Sequence, residues 1–186
     1  MSSTAPIKLV ITGTMGAGKT TAISALSEIP PVVTDVPMTT EAANSPEKST
    51  TTVALDYGEL TLDSGRKLLL FGTPGQRRYE FMCRILVTGA LGVVMLVDAS
   101  SPTALVDFSY FLDLYAAELR RDALVIGLTH MDGAANGSLK PYREVLARRG
   151  ARCPVFAVDS RRPEHVTMLI EVLIASLEFA DEPFPQ

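Results

Sequence analysis

The alternation of strand-like and helix-like segments along this chain predicts an α/β fold of three layers, a mainly parallel six-stranded sheet with helices on both faces. Three observations carry that prediction. Short runs rich in β-branched and aliphatic residues, at 7–12, 91–98, 124–129 and 154–158, have strand length and the near-continuous apolar character of strands buried on both faces. Stretches with helical spacing of apolar residues lie between and after them. Loops rich in glycine and polar residues follow the strands, where an open parallel sheet places its ligands.

The first strand leads directly into Gly13-Thr14-Met15-Gly16-Ala17-Gly18-Lys19-Thr20, and the residues from Thr21 onward read as the start of a helix. This stretch fits G-x-x-x-x-G-K-[ST] in the strand-loop-helix context that the motif requires. Gly13 and Gly18 free the backbone to turn consecutive N–H groups toward phosphate oxygens, so Thr14, Met15, Gly16 and Ala17 join the binding set. The positive end of the following helix adds to them. The Lys19 ammonium reaches the outer phosphates, the Thr20 hydroxyl is placed to ligate Mg²⁺, and Thr21 completes the nucleotide-binding residues of this loop. A nucleoside triphosphate is the implied ligand.

Pro30 and Pro31 end the helix, because proline has no N–H to donate and restricts its predecessor. Residues 32–51 are rich in Pro, Thr, Ser and Glu without an apolar period, and read as a mobile segment too long for a simple connector. Residues 52–62 alternate apolar and polar positions and turn at Asp63-Ser64-Gly65 into 66–71, a β-hairpin. Gly72-Thr73-Pro74-Gly75-Gln76-Arg77-Arg78 follows at once, as a loop facing the phosphate site. After the strand at 91–98 a helix is expected from about Ser101, with Ser100 or Ser101 as cap and Pro102 in its first turn. Its Leu105, Phe108, Phe111, Leu112, Tyr115 and Leu119 fall at helical spacing and are expected to pack on the sheet. A strand at 124–129, a helix at 139–149, a strand at 154–158 and a helix at 164–179 complete the series. The loops at 13–20, 72–78, 129–132 and 159–161 thereby converge on one edge of the sheet.

The 186 residues suit one domain spanning 1–186, with 1–6 and 181–186 as flexible ends. No apolar run reaches membrane-spanning length, and neither terminus carries a signal-peptide or lipidation pattern, which points to a cytoplasmic protein without a membrane partner. With 17 basic against 21 acidic residues the net charge is −4, and no basic stripe is available to displace counterions from nucleic acid. Cys83 and Cys153 lack ligand spacing and read as isolated thiols.

Thr129-His130-Met131-Asp132 after a strand decides the base. A carboxylate there accepts two parallel hydrogen bonds from the N1–H and exocyclic amine of guanine, a pair of donors that adenine lacks. At this point the sequence resembles the Ras-like small GTPases, whose base motif is [NT]-K-x-D and whose fold is that of the P-loop NTPases. The resemblance covers nearly the whole chain, leaving out residues 1–6 and 181–186. It implies that Asp132 reads guanine, that Thr129 braces the loop, and that Ser160 stands where the family offers a backbone N–H to the guanine oxygen. His130 replaces the usual lysine, and an imidazole can stack on the base as the lysine stem does.

The same resemblance makes Thr52 the first-switch residue that closes over Mg²⁺ and the γ-phosphate, with Thr50 and Thr51 as alternatives, so that 32–51 becomes the switch itself. It also matches Gly72-Thr73-Pro74-Gly75-Gln76 to D-x-x-G-Q, giving Gly75 an N–H for the γ-phosphate and Gln76 the role of orienting the attacking water. Gly72 stands where the family has an aspartate that holds Mg²⁺ through water, leaving Thr20, Thr52 and phosphate oxygens, with Asp98 as an outer-shell substitute. Loss of that aspartate is a feature of the bacterial gliding-motility GTPases, the subgroup that this chain looks closest to. Those proteins act with roadblock-fold partners, so the likeness implies a roadblock-type or other regulatory partner. Met15 crowds Gln76 and any incoming arginine, which implies slow intrinsic GTP hydrolysis, with Lys19 and Gln76 as the catalytic residues. Arg77 and Arg78 read either as a charge supplied in cis or as solvated switch residues on a partner surface.

On the residues alone two other readings stand beside a GTP/GDP switch. One is a P-loop phosphotransferase, for which no arginine-rich lid segment is found. The other is a nucleotide-locked scaffold that binds GTP or GDP without turnover.

Overall fold

The central strands explain the layers. In the computed structural model, which describes residues 5–30, 32–39, 50–116, 123–133 and 137–181 and leaves out the side chains of 33–39, 50–54 and 179–181, β1 (Ile7–Gly13) sits mid-sheet. Successive strand side chains point to opposite faces, so one apolar strand feeds two cores. Leu9 and Ile11 of β1, with Val94 and Leu96 of β5 (Gly92–Asp98), face α1 (Lys19–Leu26) and α5 (Pro163–Asp181), where Ile23, Leu169 and Leu173 meet them. Val10, Val93, Met95 and Val97 face the other way, onto Phe108 and Tyr115 of α3 (Ala104–Tyr115), Tyr142 of α4 (Lys140–Arg148) and Cys83 of α2 (Glu80–Val87). Burying a side chain of this size contributes roughly 1.5–3 kcal/mol, which makes the two cores the main source of stability.

The sheet order is β2-β3-β4-β1-β5-β6-β7, with β2 (Val32–Thr39), β3 (Thr50–Thr61), β4 (Lys67–Gly72), β6 (Leu124–Thr129) and β7 (Val155–Ala157). From β4 to β7 all pairings are parallel, while β3 runs antiparallel to β4 and β2 antiparallel to β3. The six expected strands and the helices on both faces are present. A seventh strand is added, because 32–39 pairs with β3 from Val32 opposite Tyr57 to Thr39 opposite Thr50. Of the segment 32–51 that the sequence reads as mobile, 32–39 form this strand and 50–51 open β3, while 40–49 lies outside the described residues.

Smaller corrections follow local chemistry. The helix expected from Ser101 begins at Ala104, since Asp98 accepts from the Ser100 backbone N–H and hydroxyl and Ser101 from the Thr103 N–H, which holds 98–103 as a turn that contains Pro102. Leu105 is exposed rather than packed, and Leu119 lies outside the described residues. Residues 80–87, to which the sequence reading assigns no element, form a helix. Of the expected flexible ends, 1–4 and 182–186 lie outside the described residues. Among the described residues, no helix is long and apolar enough to cross a membrane.

Candidate functional site

The phosphate loop is fixed by what surrounds it. Gly13 leaves β1 at φ 131°, where a Cβ would lie 1.7 Å from the Leu96 carbonyl oxygen, so only glycine fits. The Thr14 N–H donates to Leu96 O at 3.2 Å, and Thr14 Oγ1 accepts from the Asp98 N–H at 3.1 Å, which staples the loop to β5. Gly18, at φ 85°, is the residue from which α1 starts, and a Cβ there would meet Ser160 Oγ at 2.2 Å. Ala17 is wholly buried between these points, whereas Met15 is 72 % exposed on the outer side of the loop.

Lys19 opens α1 and turns back, its Nζ donating to the Gly13 and Thr14 carbonyls at 3.1 and 2.7 Å. It is buried, and loss of hydration lowers its pKa to about 8, with the nearby Asp56 carboxylate pulling the other way. A desolvated ammonium ringed by loop carbonyls gains from any anion that enters the loop.

Next to it, Thr20 Oγ1 donates to Asp56 Oδ2 at 2.5 Å. Asp56 lies on β3 directly opposite Gly72 of β4. Asp98, expected as an outer-shell substitute for an aspartate at 72, accepts from the Ser100 N–H and hydroxyl through Oδ1, which lies 3.3 Å from His130 Nδ1, while a Cβ at Gly16 would lie 3.7 Å from its Oδ2. Thr52 lies on β3 opposite Pro37, and its side chain is outside the described residues. A threonine hydroxyl beside one carboxylate fits Mg²⁺, which takes one or two protein carboxylates and leaves its other positions to water and phosphate.

Gly75 abuts the phosphate loop: a Cβ would come within 2.7 Å of Met15 N and 3.0 Å of Lys19 Nζ. Gln76 follows, exposed, and its carbonyl accepts from the Tyr79 N–H to start the single turn Arg77–Tyr79. Arg77 is drawn to α3, paired with Asp107 at 2.8 Å and stacked over the Tyr110 ring at 4.3 Å from its centroid. Arg78 lies over the Tyr79 ring. Sequence reasoning missed what sits behind this loop. Thr73 Oγ1 bonds to Thr12 Oγ1 at 2.8 Å, and Thr12 in turn to the buried Tyr115 hydroxyl at 2.6 Å. Tyr115 had been read as plain sheet packing, and its signal was only a tyrosine within an otherwise apolar helix face.

On the other side of the loop, Thr129 at the end of β6 donates its buried hydroxyl toward Ala17 O at 3.2 Å and Val97 O at 3.3 Å. His130 then adopts a left-handed φ of 54°, rare for a non-glycine residue, and the turn Met131–Gly133 sets Asp132 at the surface. Arg161 bonds to Asp159 through two nitrogens and holds that carboxyl well below the usual carboxylate range. Ser160 is buried against Gly18. Gly16, Gly18, Thr21, His130, Asp132 and Ser160 share the wall of one cleft of about 670 Å³. The structure thus brings the phosphate loop and the two base-side loops to one cleft, with Gly75 against the loop's outer side.

The fold is shared with the G domains of solved GTP-binding proteins. The structure superposes on the G domain of the T. maritima FeoB iron transporter with a TM-score of 0.62 at 21% identity, covering 93% of this chain and 99% of that one. It matches a bacterial selenocysteine-specific elongation factor, EF-Sec, at 0.62 and 16% identity, over 94% of this chain and 29% of that one. The cytosolic domain of the same T. maritima transporter in its GMPPNP form gives 0.61 at 22% identity, over 95% and 64% of the two chains. By sequence, residues 11–147 match the family described as conserved hypothetical ATP binding protein, and the chain belongs to that family. An uncharacterized protein of Methanocaldococcus jannaschii is 33% identical over 94 residues, which is 50% of this chain and 52% of the length of that relative.

Proposed function

We propose that this chain is a single small-GTPase domain of the Ras-like kind, nearest to the gliding-motility subgroup, acting in the cytoplasm as a guanine-nucleotide switch with slow turnover. The observation that carries this reading is the bond from Thr129 to Ala17 O, which ties the loop bearing Asp132 to the phosphate loop. A base reader and a phosphate cradle joined in this way grip the two ends of one nucleotide. Asp132 accepts from guanine, Ser160 borders its oxygen, and the His130 imidazole lies beside the base. Lys19 offsets charge that develops on the transferred phosphoryl group, and Gln76 orients the attacking water. Mg²⁺, when bound, neutralises phosphate oxygens, with Thr20 and, from the first switch, Thr52 as protein ligands. A regulatory protein of roadblock or other type reads the switch segments 32–52 and 72–88.

The family description names ATP, which supports a second reading in which adenine occupies the same cleft. Calorimetric titration of the purified chain with GDP and with ADP decides between them. A GDP preference of at least about tenfold, or ~1.4 kcal/mol, is expected from two carboxylate hydrogen bonds that adenine cannot make. Equal affinity, or a preference for ADP, overturns the guanine reading.

A further inference from the structure

We propose that Asp56 is the metal-site carboxylate of this chain, set on β3 in the place that the resemblance assigns to residue 72 of β4. The proposal rests on the nucleotide-site reading above. Three observations carry it. The antiparallel register pairs Asp56 with Gly72, so their side-chain positions lie side by side on one face of the sheet, and either residue can deliver a carboxylate to the same region. That region is filled from β3: a Cβ at residue 72 would come 2.8 Å from Asp56 Cβ and 3.1 Å from Asp56 Oδ2. Glycine at 72 and aspartate at 56 are therefore one arrangement rather than a loss at one strand and a coincidence at the next. Finally, the carboxylate is aimed at the loop's metal ligand, because Thr20 Oγ1 donates to Asp56 Oδ2 at 2.5 Å.

That hydrogen bond has a chemical consequence. A hydroxyl binds a cation through an oxygen lone pair, and its proton needs an acceptor pointing away from the ion. Asp56 supplies the acceptor, which turns the Thr20 lone pairs outward, and adds a negative charge beside the site. It is a positioning and charge-balancing residue for the cation, in the manner of carboxylates that orient first-layer ligands.

The experiment uses the full chain stripped of metal with EDTA. Affinity for a fluorescent GDP is measured without divalent ions, and Mn²⁺ binding to the nucleotide-loaded protein is then measured by electron paramagnetic resonance. Asp56→Asn keeps the shape and a hydrogen-bond acceptor while removing the charge, and Asp56→Ala removes both. Both are expected to lose about 10–100-fold in Mn²⁺ affinity, the usual effect of removing such an outer-layer group. Metal-free GDP affinity of the same variants is measured alongside, so that the loss in Mn²⁺ binding is read on protein known to be loaded with nucleotide. Asp56→Gly combined with Gly72→Asp removes the Cβ that would lie 2.8 Å from the new side chain, moves the carboxylate to β4 and is expected to regain most of the Mn²⁺ affinity. Wild-type Mn²⁺ affinity in Asp56→Asn or Asp56→Ala, with nucleotide bound, overturns the proposal. A double variant no better than Asp56→Ala overturns the exchange of place between the two strands. If the wild type takes ADP instead of GDP, the guanine reading falls, and the same Mn²⁺ comparison on the ADP complex still decides the role of Asp56. A wild type that binds neither nucleotide overturns both.

Discussion

Lys19 carries the sharpest consequence at the scale of a single residue. Its free ammonium titrates at about 8 because burial removes its water faster than Asp56 compensates. A bound phosphate raises that pKa again, so binding takes up a proton wherever the free lysine is deprotonated. The sign follows from linkage: affinity for GDP is flat below pH 8 and falls above it, by up to tenfold, or about 1.4 kcal/mol, for each further pH unit until the bound form also titrates. Titrations between pH 6.5 and 9.5 check this, and a flat profile across that range would show that Lys19 does not meet the phosphates as a cation. His130 works by different physics at the same scale. Its left-handed backbone was invisible in the sequence, where a histidine in place of lysine signalled only a changed surface over the base. The 3.3 Å approach of its Nδ1 to Asp98 Oδ1 then links the loop after β6 to the end of β5, to which the phosphate loop is stapled, a contact that no motif announces.

Elements decide which of these residues can meet. The glycine loop, the buried strands and the long helix α5 were legible because period and punctuation coincide there, and each carries its own signal in consecutive residues. Strand β2 was not, since Asp35 and Pro37 speak against a strand, and an edge position with one partner accommodates the proline. Asp56 was hidden for another reason. The alternation of β3 was plain, yet which half of it faces the phosphate loop depends on register, and a slip of one residue exchanges the faces. Helix α3 shows the same dependence on tertiary placement, because Tyr115 reaches Thr12 and Thr73 only when α3, β1 and the loop after β4 are packed together. Tyr115→Phe leaves the ring and its packing in place and removes one buried hydrogen bond, while Thr12 and Thr73 keep each other. The expected cost is about 1 kcal/mol, seen as a fall of about 2–4 °C in Tm for a chain of this length. An unchanged melting curve would show that the hydroxyl contributes nothing to holding the loop.

In the whole molecule, strands run so that independent loops end on one edge, and that convergence was readable before any coordinate because a parallel sheet imposes it. What the sequence left open was whether the chain carries its own arginine at the γ-phosphate, since Arg77 and Arg78 stand next to Gln76. Packing answers for Arg77: the ion pair with Asp107 and the ring of Tyr110 draw it onto α3. On the proposed switch reading, Lys19, Gln76, Mg²⁺ and the backbone then act at the γ-phosphate without Arg77, and so without the roughly 10³ to 10⁵ that an arginine positioned there contributes. Two variants separate these roles under single-turnover conditions with GTP. Arg77→Ala is expected to hydrolyse within about twofold of the wild type, since charge held on α3 does not reach the transition state. Gln76→Leu, which keeps the chain's bulk and removes the group that orients water, is expected to slow by about tenfold or more. A large loss in Arg77→Ala would move the arginine into the catalytic machinery. Equal rates for Gln76→Leu and wild type would make the chain a nucleotide-binding scaffold whose residual hydrolysis owes nothing to this loop.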